Sequence, residues 1–66
     1  MDFSLMLFHL RKERGLKQQE VADGLGISLR AYQYYERGER EPQVSVLIRM
    51  ADYFDLSLDE LVGRKH

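Results

Sequence analysis

The segment from Gln18 to Gly38 constrains the fold of this 66-residue chain more than any other part of its sequence. Apolar or small residues recur in it at helical spacing, first before Gly26 and then after it. They are Val21, Ala22 and Leu25, followed by Ile27, Tyr32 and Tyr35. Gly26 can take the left-handed conformation that ends a helix, and Ser28 can accept from the free amides that begin the next one. The spacing predicts two short helices at a fixed angle, as in a helix-turn-helix motif.

A further helix is predicted before this motif, from about Phe3 to Arg14, with Gly15 ending it. The residues on its inward face are Phe3, Leu7 and Leu10, with Met6 and the stem of Arg14 beside them. On the opposite face, Leu5 and Phe8 are apolar where a solvated helix is usually polar. Two interpretations of this face stay open: it contacts another subunit, or it is an ordinary exposed surface.

Two more helices are predicted after the motif. The charged loop that precedes them contains Pro42, which prevents the third helix from continuing. A fourth helix is expected from about Gln43 to Phe54, on an i, i+3, i+4, i+7 pattern of apolar residues. That pattern consists of Val44, Leu47, Ile48, Ala51 and Phe54. Ser57 and Glu60 are spaced as a capping box, which indicates a short fifth helix. The prediction is an all-α single domain over residues 1–66, with 63–66 as a solvated tail.

Composition excludes several classes of protein and function. The chain has no cysteine, and its two histidines, His9 and His66, have no second ligand at metal-binding spacing, so we expect no metal and no cofactor. No stretch is long and apolar enough for a membrane span or a signal peptide, which favours a cytoplasmic location. No nucleophile is placed with a base and an orienting acid, and nothing suggests a small-molecule ligand, so we expect no enzyme. The net charge of −1 gives no global argument for nucleic acid.

From about Leu7 to Val62, the chain resembles the lambdoid phage repressors and Xre-type bacterial regulators. The matching positions, in the family's order and spacing, are Leu10-Arg11, Gly15-Leu16, Gln18, Val21-Ala22, Leu25-Gly26-Ile27-Ser28, Glu36-Arg37-Gly38, Pro42 and Ser57-Leu58-Asp59-Glu60-Leu61. The resemblance implies a five-helix, lambda-repressor-like DNA-binding domain whose third helix enters the major groove. It also implies an ion pair between Arg11 and Glu36 that joins the first helix to the end of the third.

The inward direction of Tyr32 and Tyr35 predicts which residues of the third helix face outward. The candidates for base contacts are Leu29, Arg30, Gln33 and Tyr34. Arg30 can fork onto guanine, Gln33 can pair with adenine, and Leu29 can contact a thymine methyl group. The candidates for phosphate contacts are Lys17, Gln18, Ser28, Arg37 and Arg40. Glu39 and Glu41 lie among these arginines and are expected to weaken the local positive field.

Two functions are compared on this basis. The first is a sequence-specific transcriptional regulator, a repressor that binds a palindromic operator as a homodimer, because one short helix reads too few base pairs to find a site alone. The alternative is a protein-interaction module of the same fold, such as an antitoxin component. For the dimer, the last third of the chain offers apolar residues that are equally suited to the core. They are Val46, Met50, Tyr53, Leu56, Leu58 and Val62.

Overall fold

The computed structural model describes residues 3–63. Within them the chain forms five helices, which confirms the all-α prediction. The helices are α1 (Phe3–Glu13), α2 (Gln18–Leu25), α3 (Leu29–Arg37), α4 (Val44–Phe54) and α5 (Leu58–Val62). Only Gly63 of the predicted tail at 63–66 lies within the described residues.

One hydrophobic core joins all five helices. Its buried members are Leu7, Leu10, Val21, Ala22, Leu25, Tyr32, Met50, Ala51, Phe54 and Leu61. Helix α1 packs against α3 and α5, and α2 packs against α3 and α4. None of the helices found in residues 3–63 combines the length and the apolar character that a membrane span requires.

The turn between α2 and α3 has the conformation that the sequence predicts. Gly26 ends α2 with a φ of 71°, in the left-handed region that glycine adopts without a steric penalty. The amide of Ile27 donates to the carbonyl of Ala22 over 3.0 Å, and Ala22 is completely buried. The Ser28 hydroxyl accepts from the amide of Ala31 over 3.1 Å and caps α3. These local bonds fix the direction in which α3 leaves α2.

The inward face of α4 contains three of the five predicted residues, Leu47, Ala51 and Phe54, and differs from the prediction at the other two. Val44 and Ile48, which the pattern placed in the core, are 68% and 46% exposed, whereas Met50 is completely buried. The face that packs consists of Leu47, Met50, Ala51 and Phe54. Both this set and the predicted one have i, i+3, i+4, i+7 spacing. Two such sets exist because α4 is apolar around most of its circumference. Periodicity therefore allowed either face.

Contacts with α2 and the core decide between the two faces of α4. Gly24 of α2 lies against the ring of Tyr53, and a Cβ atom at position 24 would overlap that ring. This close approach is possible only because residue 24 has no side chain. Of the residues for which a dimer contact and the core were both left open, Met50 is buried in the core, and Val46 and Leu56 pack against it. Tyr53, Leu58 and Val62 remain partly exposed at 36%, 43% and 39%.

Candidate nucleic-acid interface

Helix α3 has one buried side and one outward side. Tyr32 is completely buried, and Tyr35 packs against the core from the same side. Arg30 is exposed on the other side, where Leu29, Gln33 and Tyr34 are each half-buried. The structure therefore brings the four residues predicted to touch bases onto one accessible strip of α3. Their contact with bases stays a prediction.

Tyr34 is surrounded by arginine side chains. The guanidinium carbons of Arg30, Arg37 and Arg40 lie 5.8, 5.5 and 4.6 Å from the centre of its ring. Arg30 and Tyr34 also border a shallow depression of about 290 Å³, together with Ser28, Ala31 and Arg40. Guanidinium groups over an aromatic face are attracted by the negative potential of the ring. The ring thus gathers positive charge at the outward strip of α3, although the whole chain carries a net charge of −1.

A chain of polar contacts links α1 to the outward strip through Glu36. Arg11 donates to both carboxylate oxygens of Glu36, from Nε over 2.9 Å and from Nη2 over 2.8 Å. The Gln18 amide donates to Glu36 Oε1 over 3.2 Å, and Gln33 Nε2 donates to Gln18 Oε1 over 3.2 Å. Each side chain in this chain of bonds limits the rotation of the next. The bond to Gln18 therefore orients the amide plane of Gln33 before any ligand is present.

Burial and neighbouring groups shift the pKa values of two side chains at this network, Glu36 and Tyr32. Burial of the Glu36 carboxylate raises its pKa, but the neighbouring groups of Arg11, Tyr32 and Gln18 lower it more, so the net pKa lies below the ordinary value. Burial also raises the pKa of the Tyr32 hydroxyl, and the nearby Glu36 carboxylate adds to this effect. That hydroxyl makes no well-formed hydrogen bond with any residue from 3 to 63. Near neutral pH, Glu36 is charged and Tyr32 is neutral.

The start of α2 supplies a second group of polar atoms beside α3. Lys17 occupies the N-cap position, and its side chain offers no acceptor to the helix amides. Instead, the Glu20 carboxylate accepts from the Lys17 backbone amide over 2.9 Å. The first-turn amides of α2 and the Lys17 ammonium are therefore available to an anion. The Gln18 side chain is already bonded to Glu36 and Gln33, so any phosphate contact must use its remaining N–H.

Arg37, which ends α3, and Arg40, in the loop after it, differ in their ion pairing. Arg37 forms an exposed ion pair with Glu39, with Nη2 and Oε1 3.1 Å apart. Arg40 lies closest to the Tyr34 ring, and no ion pair to it occurs within the described part of the chain. Among the described residues, a loop carboxylate thus forms a direct ion pair with Arg37 but not with Arg40.

Two features of this surface were not predicted from the sequence: the arginines around Tyr34, and the bonds of the Gln18 side chain to Glu36 and Gln33. The first had a signal in the sequence, because residues four and three apart on a helix are neighbours, and Arg30, Tyr34 and Arg37 have these spacings. The bond between Gln33 and Gln18 had no such signal, because the two residues belong to different helices. The sequence of neither helix determines the angle at which the two helices cross.

Comparison with known proteins agrees with this geometry. The HTH_3 family model, described as a helix-turn-helix, matches residues 7–61. The chain belongs to the helix-turn-helix family. This result confirms the resemblance to lambdoid repressors and Xre-type regulators, and the family is one of regulators and not of enzymes.

Individual members of the helix-turn-helix family are similar over most of this chain. It is 47% identical over 60 residues to the uncharacterized HTH-type transcriptional regulator YqaE of Bacillus subtilis, covering 91% of this chain and 52% of YqaE. It is 43% identical over 58 residues to the cryptic phage CTXphi transcriptional repressor RstR of Vibrio cholerae, covering 88% of this chain and 52% of RstR.

A solved transcriptional regulator has the same fold. The crystal structure of a transcriptional regulator from Listeria innocua superposes with a TM-score of 0.89 at 45% identity. The match covers 97% of this chain and 60% of the Listeria chain. The present chain thus spans about half the length of the YqaE and RstR proteins that it matches.

Proposed function

We propose that this helix-turn-helix chain binds double-stranded DNA sequence-specifically as part of a transcriptional regulator. The observation that supports the proposal best is the outward strip of α3, where Arg30 and Gln33 project from a helix whose opposite side is fixed in the core. An α-helix fits the major groove of B-form DNA, where each base pair presents a distinct set of donors and acceptors. Arg30 would donate to guanine, Gln33 would pair with adenine, and Leu29 would contact a thymine methyl group.

Phosphate contacts would hold α3 in this register. The free amides at the start of α2 and the side chains of Lys17 and Gln18 suit one phosphate. The Ser28 hydroxyl can still donate its own proton to a phosphate. Arg37, at the end of α3, and Arg40, in the loop after it, suit further phosphates. Such contacts orient the protein without reading sequence, so removal of one would weaken binding to all duplexes alike.

We further propose that the regulator acts as a homodimer on a palindromic operator and represses transcription by occupying it. A single nine-residue helix reads only a few base pairs, which gives too little specificity for a genome. Two copies would place their α3 helices about 34 Å apart, one duplex turn. Exposed apolar side chains suitable for a contact between copies are Leu5, Val44, Ile48, Leu58 and Val62. The repressor RstR is similar in sequence, which favours repression over activation.

Selection of bound duplexes from a random pool tests the proposal. We expect the full chain to enrich a palindromic sequence and two chains to bind per duplex. Arg30→Ala should relax the preference at one base pair of each half-site, whereas Lys12→Ala, which removes an exposed cation of α1, should leave the preference unchanged.

The negative outcome of this selection is equally informative. A chain that enriches no sequence, and that shows no salt-dependent affinity for random duplex, would contradict DNA binding. It would favour the protein-interaction module considered as the alternative. Enrichment of a site without internal symmetry would retain DNA binding and contradict the homodimer.

A further inference from the structure

We propose that Tyr34 is a positioning residue that holds Arg30 in the conformation that reads guanine, instead of reading a base itself. This inference rests on the proposed function, because it concerns how one base-reading side chain is held. Its starting point is a contact within α3: Arg30 Nε donates to the Tyr34 hydroxyl oxygen over 3.2 Å. The Arg30 guanidinium carbon also lies 5.8 Å from the centre of the Tyr34 ring.

The spacing of the two residues makes this contact possible. Residues four apart on a helix lie one above the other on the same face, so the Arg30 side chain can reach the Tyr34 hydroxyl without distorting α3. Tyr34 is half-buried and Arg30 is exposed, so the ring is the more fixed partner. The phenol therefore acts as an anchor, and the arginine is the group that it restrains.

The bond determines which donors of Arg30 remain for DNA. A guanidinium carries five N–H donors, and the bond to Tyr34 uses the one on Nε. The four hydrogens of Nη1 and Nη2 are not used by this bond. Two parallel N–H groups from these nitrogens match O6 and N7 of guanine. The anchored arginine thus presents its terminal edge to the groove.

Arg40 adds a second reason to treat Tyr34 as a positioning residue. Its guanidinium carbon lies 4.6 Å from the centre of the same ring, although Arg40 belongs to the loop after α3. The ring has Arg30 at its hydroxyl, with the guanidinium carbons of Arg37 and Arg40 5.5 and 4.6 Å from its centre, so few of its surfaces are left for a base. The hydroxyl and the ring also have separable roles, because Tyr34→Phe removes the bond to Arg30 and keeps the ring beneath Arg40.

A double-mutant cycle on the selected duplex tests the inference. We expect Tyr34→Phe to reduce the preference for guanine over the other bases at the position read by Arg30, by about 3- to 10-fold, the value of one hydrogen bond. In an Arg30→Ala background, Tyr34→Phe should cause no further loss. Affinity for random duplex and its salt dependence should not change, because the phosphate contacts remain. Equal thermal unfolding of all variants is the control for folding.

Two results would overturn the inference. If Tyr34→Phe weakens binding as much in the Arg30→Ala background as in the wild type, the hydroxyl touches DNA directly. If Tyr34→Phe leaves the guanine preference intact while Arg30→Ala removes it, Arg30 needs no anchor. In both cases the selected site and the proposed function survive.

A measurement without DNA separates the inference from the proposed function. The NMR signal of the Arg30 Nε–H group in the free chain should shift and exchange faster with water in Tyr34→Phe. Arg49 provides the control, because its guanidinium lies on α4 and bonds to the Leu25 carbonyl. An Arg30 signal that Tyr34→Phe leaves unchanged would overturn the inference, even if the chain selects no duplex.

Discussion

Glu36 links three parts of the molecule through one carboxylate. It accepts from Arg11 of α1 and from Gln18 of α2, while it belongs to the last turn of α3. Both side chains of the ion pair are nearly buried, with 9% of Arg11 and 6% of Glu36 exposed. A buried pair of this kind adds little net stability over an apolar pair, but the loss of one partner leaves a desolvated charge. Glu36 therefore fixes the direction of α3 and makes the fold sensitive to its replacement.

Glu36→Ala should impair folding before it alters base preference. The substitution leaves the Arg11 guanidinium buried without a counterion, and we expect a loss of about 3–5 kcal/mol in the free energy of unfolding. Glu39→Ala is the matched control, since it breaks the exposed pair with Arg37 and should cost at most about 1 kcal/mol. Thermal unfolding of both variants measures the difference. An unchanged melting temperature together with lost DNA binding would contradict this account of Glu36.

The lowered pKa of Glu36 also predicts a dependence of stability on pH. In the unfolded chain the carboxyl group has its ordinary value of 4.5, and folding lowers it. The charged carboxylate therefore stabilises the fold fully above pH 4.5. This contribution is lost as the pH falls through the lowered pKa of the folded state. We expect the difference in unfolding free energy between wild type and Glu36→Gln to be constant near neutral pH and to shrink in acid. A difference that persists in strong acid would contradict the assignment.

Single side chains show what the sequence could and could not predict at this surface. The outward direction of Arg30 and Gln33 followed from the spacing of Tyr32 and Tyr35 alone. The bond from Gln33 to Gln18 depends on the crossing of two helices and on one rotamer of each amide, which local periodicity does not determine. Sequence therefore located the strip, and the three-dimensional structure showed how its members are held.

Among the helices, α4 has the least certain sequence signal. Its apolar residues occupy two overlapping stripes, so periodicity alone did not identify the packed one. By contrast, α2 has polar residues on its outer face and a single apolar stripe, and its buried residues were all predicted. The capping box of α5 fixed the start of that helix even though it has only five residues. Local capping and a clear polar face were thus more reliable guides than apolar content.

The end of α4 offers a test of backbone conformation. Asp55 follows the helix with a φ of 58° and a ψ of 49°, in the left-handed region that favours glycine. Its negative charge also lies at the negative end of the helix dipole. We expect Asp55→Gly to stabilise the fold by about 0.5–1 kcal/mol, measured as a higher urea midpoint. Asp55→Ala is the control, because it removes the charge and keeps the strained φ.

These two variants at position 55 separate the backbone effect from the charge effect. Asp55→Ala should give no gain in stability, because an Ala at this φ lacks the local hydrogen bonding that makes Asp tolerable there. If Ala stabilises the fold as much as Gly does, the dipole is responsible and the left-handed conformation costs little.

Few phosphate contacts are expected in the DNA complex that we propose for the whole domain. Its net charge is −1, and Arg37 is paired with Glu39 beside the outward strip. We therefore expect a shallow dependence of affinity on salt for a repressor. Glu39→Gln should free Arg37, raise the affinity for random duplex and steepen the slope by about 0.9 for each added phosphate contact. Glu13→Gln, which makes the same change of charge at the end of α1, should leave the slope unchanged.

Two other results of the comparison between Glu39→Gln and Glu13→Gln would contradict this expectation. If Glu39→Gln and Glu13→Gln raise the affinity equally, net charge alone controls binding and the position of Arg37 has no special role. If neither variant alters the slope, release of Arg37 from Glu39 adds no phosphate contact, which contradicts the expected role of this pair.

The contact between α3 and DNA is tested most directly by mapping the NMR signals of the full chain as a selected duplex is added. We predict that the changes concentrate on Leu29, Arg30 and Gln33, with a second group at the first turn of α2. Signal changes confined to the exposed apolar residues of α1, α4 and α5, with the α3 signals unchanged, would contradict the contact between α3 and DNA.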